Sequence, residues 1–217
     1  MPSIGNDVVD LKESANVGKS GDFRFLKKIL TDAEIEYVKN ADGPDQMLWS
    51  IWACKETAYK VVKKYLSAVA FVPRRWNVVL KTNRSENAEG KVDLLGKEEI
   101  HVRLFSNSDY VHCVGTDNLK LLNKLIWRVE ALPGKEKINP SLFLRNCVTN
   151  DLAKNLSLNA DQIKIKKTRQ GGELQPPQVY VDGQKTDIDI SLSHDGRFVA
   201  YAFSESHIPI HCVQEIV

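Results

Sequence analysis

Leu48-Trp49-Ser50-Ile51-Trp52-Ala53-Cys54-Lys55-Glu56-Thr57-Ala58-Tyr59-Lys60-Val61-Val62 is helix-forming sequence with two unlike faces. Leu48, Ile51, Trp52, Tyr59 and Val62 recur at roughly helical spacing and predict an apolar stripe, while Glu56 and Lys60 stand one turn apart and present charge. On spacing alone the two read as a surface ion pair of the favourable orientation, worth about 0.2–0.5 kcal/mol. A functional reading needs other parts of the chain to converge on the same face.

Working outward, Gly43-Pro44 breaks the chain and opens this helix, which is expected to run to about Tyr65, because proline is tolerated in a first turn. Thr31 with Glu34 is a capping box for a helix toward Val38. A short amphipathic helix over residues 23–30 precedes it. Residues 3–11 read as a strand that sets Asp7 beside the permissive Gly5. Downstream, residues 69–81 are rich in Val, Phe and Trp and predict a strand, residues 82–90 a polar turn region, and residues 91–95, 100–105 and 110–115 short strands. Residues 117–131 predict a helix-like linker passing into a strand. Leu132-Pro133-Gly134-Lys135 marks a boundary, and Asn139-Pro140 caps a helix to about Leu156. Strands are then expected at 162–167, 178–181, 188–192 and 198–203. A strand, helices and a meander in the first half give an α+β class. The second half repeats that plan, and Asn107-Ser108-Asp109-Tyr110-Val111 echoes Ser193-His194-Asp195-Gly196-Arg197-Phe198-Val199.

The 217 residues, 42% hydrophobic and 27% charged, are enough for one domain or two lobes of an ordinary globular protein. A net charge of +2 is too small to argue for nucleic acid, and the basic residues are scattered. Lys27-Lys28, Lys63-Lys64, Arg74-Arg75 and the group Lys164, Lys166, Lys167 and Arg169 are local patches that suit an anionic partner. Cys54, Cys113, Cys147 and Cys212 are far apart and form no CxxC pair, so neither a zinc site nor a disulfide framework is expected, and a reducing compartment fits. His207 and His211 flank an extended Ile208-Pro209-Ile210 and read as ordinary histidines. Asp7 and Asp10 precede any apolar run, so no signal peptide is read, and no stretch reaches the roughly 20 apolar residues of a membrane span. A cytoplasmic protein without membrane contact is expected.

Three stretches stand out together: Ile4-Gly5-Asn6-Asp7-Val8-Val9-Asp10, Trp52-Ala53-Cys54-Lys55-Glu56-Thr57-Ala58-Tyr59-Lys60, and Ile190-Ser191-Leu192-Ser193-His194-Asp195-Gly196-Arg197. Together they resemble the 4′-phosphopantetheinyl transferases. That family's pattern is an Ile/Val-Gly-x-Asp strand, a Trp-x-x-Lys-Glu-x-x-x-Lys helix and an Ile-Ser-x-Ser-His-Ser/Asp-Gly hairpin. Residues 25–35 resemble the family's helix pair after the aspartate. The order differs from the surfactin-synthetase-activating type, in which the Ser-His hairpin comes first. The resemblance therefore implies a circularly permuted fold of two similar lobes with an approximate twofold. Residues 1–116 would carry the Asp strand and the Lys-Glu helix, residues 117–138 a linker, and residues 139–217 the Ser-His hairpin.

The resemblance implies transfer of 4′-phosphopantetheine from coenzyme A to a serine of an acyl or peptidyl carrier protein, by a monomer with pseudo-dimeric lobes. It assigns Asp7 and Glu56 to Mg²⁺, an ion that takes oxygen ligands, Glu56 and Lys60 to catalysis, and Lys60, Ser193, His194 and Arg197 to coenzyme A. Lys27, Lys28, Arg74 and Arg75 are docking candidates for an acidic carrier. Two departures stand out. Val9 occupies the position of a second acidic ligand, with Asp10 next to it. The Gly-Lys-Pro turn appears as Gly171-Gly172-Glu173-Leu174-Gln175-Pro176-Pro177 without its lysine, for which Lys167 or Arg169 are replacements. The missing lysine motivates the alternative, a non-catalytic coenzyme A or carrier-domain binding protein on the same fold.

Overall fold

The structure is a computed structural model that describes residues 2–84, 87–94, 98–134 and 138–204. His207, His211 and Cys212 lie outside the described residues. In the first half, β1 (Ile4–Asp10) is followed by α1 (Phe23–Ile29), α2 (Asp32–Lys39) and α3 (Pro44–Val62). The meander β2 (Asn77–Arg84), β3 (Asn87–Asp93), β4 (Glu99–Ser106) and β5 (Tyr110–Thr116) completes an antiparallel sheet in the order β1-β5-β4-β3-β2. The second half holds α4 (Leu119–Leu122), β6 (Leu125–Ala131), α5 (Pro140–Leu156), β7 (Ile163–Lys166), β8 (Arg169–Gln170), β9 (Glu173–Leu174), β10 (Gln178–Val181), β11 (Gln184–Lys185), β12 (Ile190–Asp195) and β13 (Phe198–Ser204). Its larger sheets are β12-β13-β6 and β11-β10-β7.

The apolar stripe of α3 buries Leu48, Ile51, Ala58, Val61 and Val62 against Val9, Val102, Val111 and Cys113 of the sheet, and this is the core of the first half. Close approach of β1 to α3 depends on Gly5, because a Cβ there would lie 2.2 Å from the Thr57 carbonyl oxygen. In the second half α5 lays Leu144, Val148 and Leu152 over Val199, Tyr201 and Phe203. Between the halves, Ile4 and Val114 meet Leu125 and Ala202, and Val8 meets Phe198 and Ala200.

The Thr31 capping box forms as the sequence predicts, and its Glu34 does more than cap. Lys55, fully buried on α3, donates to Glu34 Oε2 at 2.5 Å and to the carbonyls of Ile29 and Pro73 at 3.0 and 2.9 Å. Glu34 also accepts the Thr31 and Val78 N–H groups. The first lysine of the Lys-Glu motif therefore ties α1, α2, β2 and the turn at Pro73 to α3, with its charge paired and every donor satisfied.

The α+β class holds, and both halves set a helix over antiparallel strands. Three local expectations are corrected. The apolar run 69–76 is not strand; Pro73, with no N–H to give, sits in a 3-10 turn (Pro73–Arg75), and Phe71 and Trp76 pack their rings against Tyr59. The polar stretch expected as a turn region is mostly the β2–β3 pair, held by backbone pairing without an apolar period. The central helix stops at Val62, three residues short of Tyr65. No helix among the described residues is long and apolar enough to cross a membrane.

His112, on β5, is fully buried against the Phe105 and Trp127 rings, and neither ring nitrogen has a hydrogen-bond partner among the described residues. Burial, and then the charge of Lys60, push its pKa from 6.5 down to about 3. The folded state thus binds fewer protons than the unfolded chain between these values. The stability contribution is complete above pH 6.5 and is lost as pH falls toward 3, by up to about 5 kcal/mol at about 1.36 kcal/mol per unit. Urea midpoints followed from pH 7 to pH 4 should fall less steeply for His112→Phe than for the parent protein.

Candidate active site at the seam between the halves

β1 is the edge strand of its sheet, so the N–H and C=O groups that point away from β5 need partners. They find side chains. The N–H groups of Ile4, Asn6, Val8 and Asp10 donate to Asp189 Oδ2 (2.6 Å), Ser191 Oγ (2.8 Å), Ser193 Oγ (3.2 Å) and Asp195 Oδ2 (2.9 Å). Every pair is separated by 185 residues, so β12 runs beside β1 in the same direction without a backbone ladder between them. Lys60 on α3 and Lys64 in the turn just after it take carbonyls of the same edge. Lys60 Nζ donates to Asn6 O at 2.9 Å and Lys64 Nζ to Ile4 O at 2.6 Å. Lys64 also pairs with Asp189 Oδ1 at 2.6 Å, and burial lowers its pKa against that ion pair.

Midway along this seam, Asp7 Oδ1 accepts from Lys60 Nζ and from Ser193 Oγ, each at 2.8 Å. Glu56, one helical turn before Lys60, completes the group. Its pKa is pushed up from 4.5 to about 7, first by desolvation and then by the negative charge of Asp7, with Lys60 opposing. Asp7, Glu56, Lys60 and Ser193 thus converge from β1, α3 and β12. The expected surface ion pair is replaced, since Lys60 binds Asp7.

Among the described residues no group of three or more His, Cys, Asp or Glu side chains is arranged to hold a metal ion. Asp7 and Glu56 are nevertheless two carboxylates close enough to repel, a donor set suited to a hard cation that takes the rest of its shell from water and substrate. Val9 is buried in the core and brings no oxygen. Asp10 is sequestered too, because it binds Arg197 and the Lys12 N–H.

The other sequence candidates separate. His194 is exposed, one residue beyond Ser193 on β12. The Arg197 guanidinium is committed to Asp10, through Nε at 2.8 Å and Nη2 at 2.7 Å, and to Asp109 at 3.3 Å, so it does not stand open beside the cluster. Lys27, Lys28, Arg74 and Arg75 are exposed on α1 and the turn at Pro73; Arg74 donates to the Lys27 carbonyl and pairs with Asp32, and Lys27 lies over the Phe23 ring. Arg169 donates to Gly172 O, a turn contact. Lys167 has its ammonium pKa lowered by desolvation and then by the cations Arg145 and Lys60. Arg145 Nε is buried without a partner among the described residues. Sequence reasoning passed over Arg145 and Asp189 and read Lys64 only as half of a basic pair. Lys64 had a signal, its four-residue spacing from Lys60; Asp189 had another, its two-residue spacing from Ser191.

Comparison with known proteins bears on the family of the chain. Residues 3–115 match the model of a family described as the 4′-phosphopantetheinyl transferase superfamily. A protein named holo-[acyl-carrier-protein] synthase from Leptospira biflexa is 36% identical over 62 residues, 29% of this chain and 49% of that protein. One of the same name from Shewanella oneidensis is 37% identical over 60 residues, 27% of this chain and 46% of that protein. The chain spans about half the length of the curated relatives it matches. The crystal structure of Thermotoga maritima holo-[acyl-carrier-protein] synthase aligns with a TM-score of 0.40 at 16% identity, over 85% of this chain and 86% of that one. With more than half of its length matched by the family model, the chain belongs to the 4′-phosphopantetheinyl transferase superfamily.

Proposed function

We propose that this protein moves the 4′-phosphopantetheine arm of coenzyme A onto a serine of an acyl or peptidyl carrier protein and releases adenosine 3′,5′-bisphosphate. The observation that carries the reading is the meeting of Asp7, Glu56, Lys60 and Ser193 at one seam, in a chain of this superfamily. We read residues 1–116 and 139–217 as two lobes joined by 117–138, in permuted order, and the protein as a cytoplasmic monomer because one chain completes the seam.

In the reaction the serine oxygen bonds to the phosphorus that carries the pantetheine arm, and the phosphorus–oxygen bond to the adenosine bisphosphate breaks. Glu56 takes the serine proton. Lys60 uses two of its three donors on Asn6 O and Asp7 and turns the third to a phosphate oxygen. Asp7 and Glu56 would hold Mg²⁺, which when bound supplies positive charge for the pyrophosphate. His194 takes a coenzyme A phosphate from the second lobe, and Lys167 with Arg145 supplies the cations that the missing glycine-turn lysine provides elsewhere. The exposed Lys27, Lys28, Arg74 and Arg75 form the docking face for an acidic carrier.

Intact mass of an apo carrier protein incubated with this protein, coenzyme A and Mg²⁺ should rise by one phosphopantetheine, and EDTA should abolish the rise. Glu56→Gln should lower kcat by roughly 10²-fold or more, in the range for loss of a general base. No mass shift across fatty-acid and peptide-synthetase carriers, with coenzyme A still bound, would sink the transferase reading in favour of the binding protein. A separate check follows the Glu56 carboxyl by ¹³C NMR in metal-free protein. It should titrate near pH 7, and Asp7→Asn should move the midpoint down toward 4.5, because the like charge is removed.

A further inference from the structure

One end of the seam is held by a group with no place among the reacting residues. We propose that Arg197 is a positioning residue, which fixes the β12–β13 hairpin on β1 through Asp10 so that Ser193 meets Asp7; this rests on the transfer reading above. The Arg197 fork grips both oxygens of Asp10, and its backbone N–H binds Oδ2 at 2.9 Å. Asp10 itself is 1% exposed. The turn lies directly on this carboxylate. Gly196 has φ +47°, and a Cβ there would sit 2.5 Å from Asp10 Oδ2. Next to it, Asp195 Oδ2 accepts the Asp10 N–H and Asn16 Nδ2. Asp109 ties in the β4–β5 hairpin by pairing with Lys12 and Arg197.

Asp10 is three residues from Asp7 on the same strand, and Arg197 is four from Ser193 across the turn. Such short spans, at about 3.3 Å per residue of extended chain, pass a slip at the clamp directly to the Ser193–Asp7 contact. A guanidinium engaged by two aspartates is also poorly placed to act as a phosphate ligand, which separates positioning from substrate contact.

The test compares Arg197→Ala, Arg197→Lys, Asp10→Asn and the double variant Asp10→Asn with Arg197→Ala in the carrier-loading assay. It is run at a temperature where circular dichroism shows each protein folded. Hydrogen exchange at the Asn6 and Val8 amides is read in parallel. Arg197→Ala should lower kcat about tenfold or more, within the loss a 1 Å misplacement causes, and leave KM for coenzyme A within about twofold. Arg197→Lys should recover part of the loss, and the double variant should be no worse than Arg197→Ala. Exchange at Val8 should speed up about tenfold.

A rise in KM for coenzyme A with kcat kept, and with additive effects in the double variant, overturns the proposal and puts Arg197 on a phosphate. Unchanged kcat with unchanged exchange overturns it as well. If the parent protein loads no carrier, the transfer reading fails, and the exchange at Val8 alone judges the clamp. If Arg197→Ala does not fold, Arg197→Lys supplies both readouts.

Discussion

The seam depends on an edge strand that would otherwise be exposed. β1 pairs with β5 on one side, and its other side carries unpaired backbone groups, which a protein must cover or leave open to association. Here the partner is a row of side chains. Asp189, Ser191, Ser193 and Asp195 accept four alternate N–H groups, and Lys60 and Lys64 donate to two carbonyls between them. A neutral hydrogen bond contributes about 1 kcal/mol net, but a buried backbone group left without one costs about 1–3 kcal/mol. The ladder is therefore less a source of stability than a condition on which arrangements of the two halves are allowed. A slip by one residue would present Ile190, Leu192 and His194 to the edge in place of oxygen acceptors.

The same groups that set this register carry the candidate chemistry. Ser193 accepts the Val8 N–H and donates to Asp7; Lys60 caps the Asn6 carbonyl and pairs with Asp7. The contact between the two halves and the candidate carboxylate are thereby one hydrogen-bonded network, so the position and partners of Asp7 are fixed by the fold itself. The two lysines of the Lys-Glu helix divide the work. Lys55 faces inward and holds the helices to the sheet through Glu34, which leaves Lys60, on the opposite face, for the seam.

Much of this was legible, and unevenly so. The Gly-Pro opening of α3, the capping box at Thr31, and the convergence of Asp7, Glu56, Lys60 and Ser193 follow from local signals joined by resemblance. The run 69–76 misled, because apolar β-branched and aromatic residues report burial before they report conformation, whereas 77–81 of the same expected strand do lie in β2. Phe71 and Trp76 are packed as a loop would pack them. The inner part of the β2–β3 pair, residues 82–84 and 87–90, was read as a turn region because backbone pairing leaves no apolar period in that polar stretch. The contact of Arg197 with Asp10 was not legible for another reason. Asp10 is 187 residues away, and no pattern in either neighbourhood announces the pairing.

A contact made of side chains at a constant offset has a further property. Nothing in it requires the two strands to be joined in a given order, because β1 and β12 share no loop and no backbone ladder. The element that must survive a rearrangement of the chain is the alternation itself: oxygen acceptors at every second residue of one strand, facing alternate N–H groups of the other. Both are intact here, with β1 near the start of the chain and β12 near its end. In the permuted order proposed above, the seam is thus the part of the fold least sensitive to where the chain begins. That is a physical reason for the Asp-strand and Ser-His motifs to be recognisable when their order is exchanged.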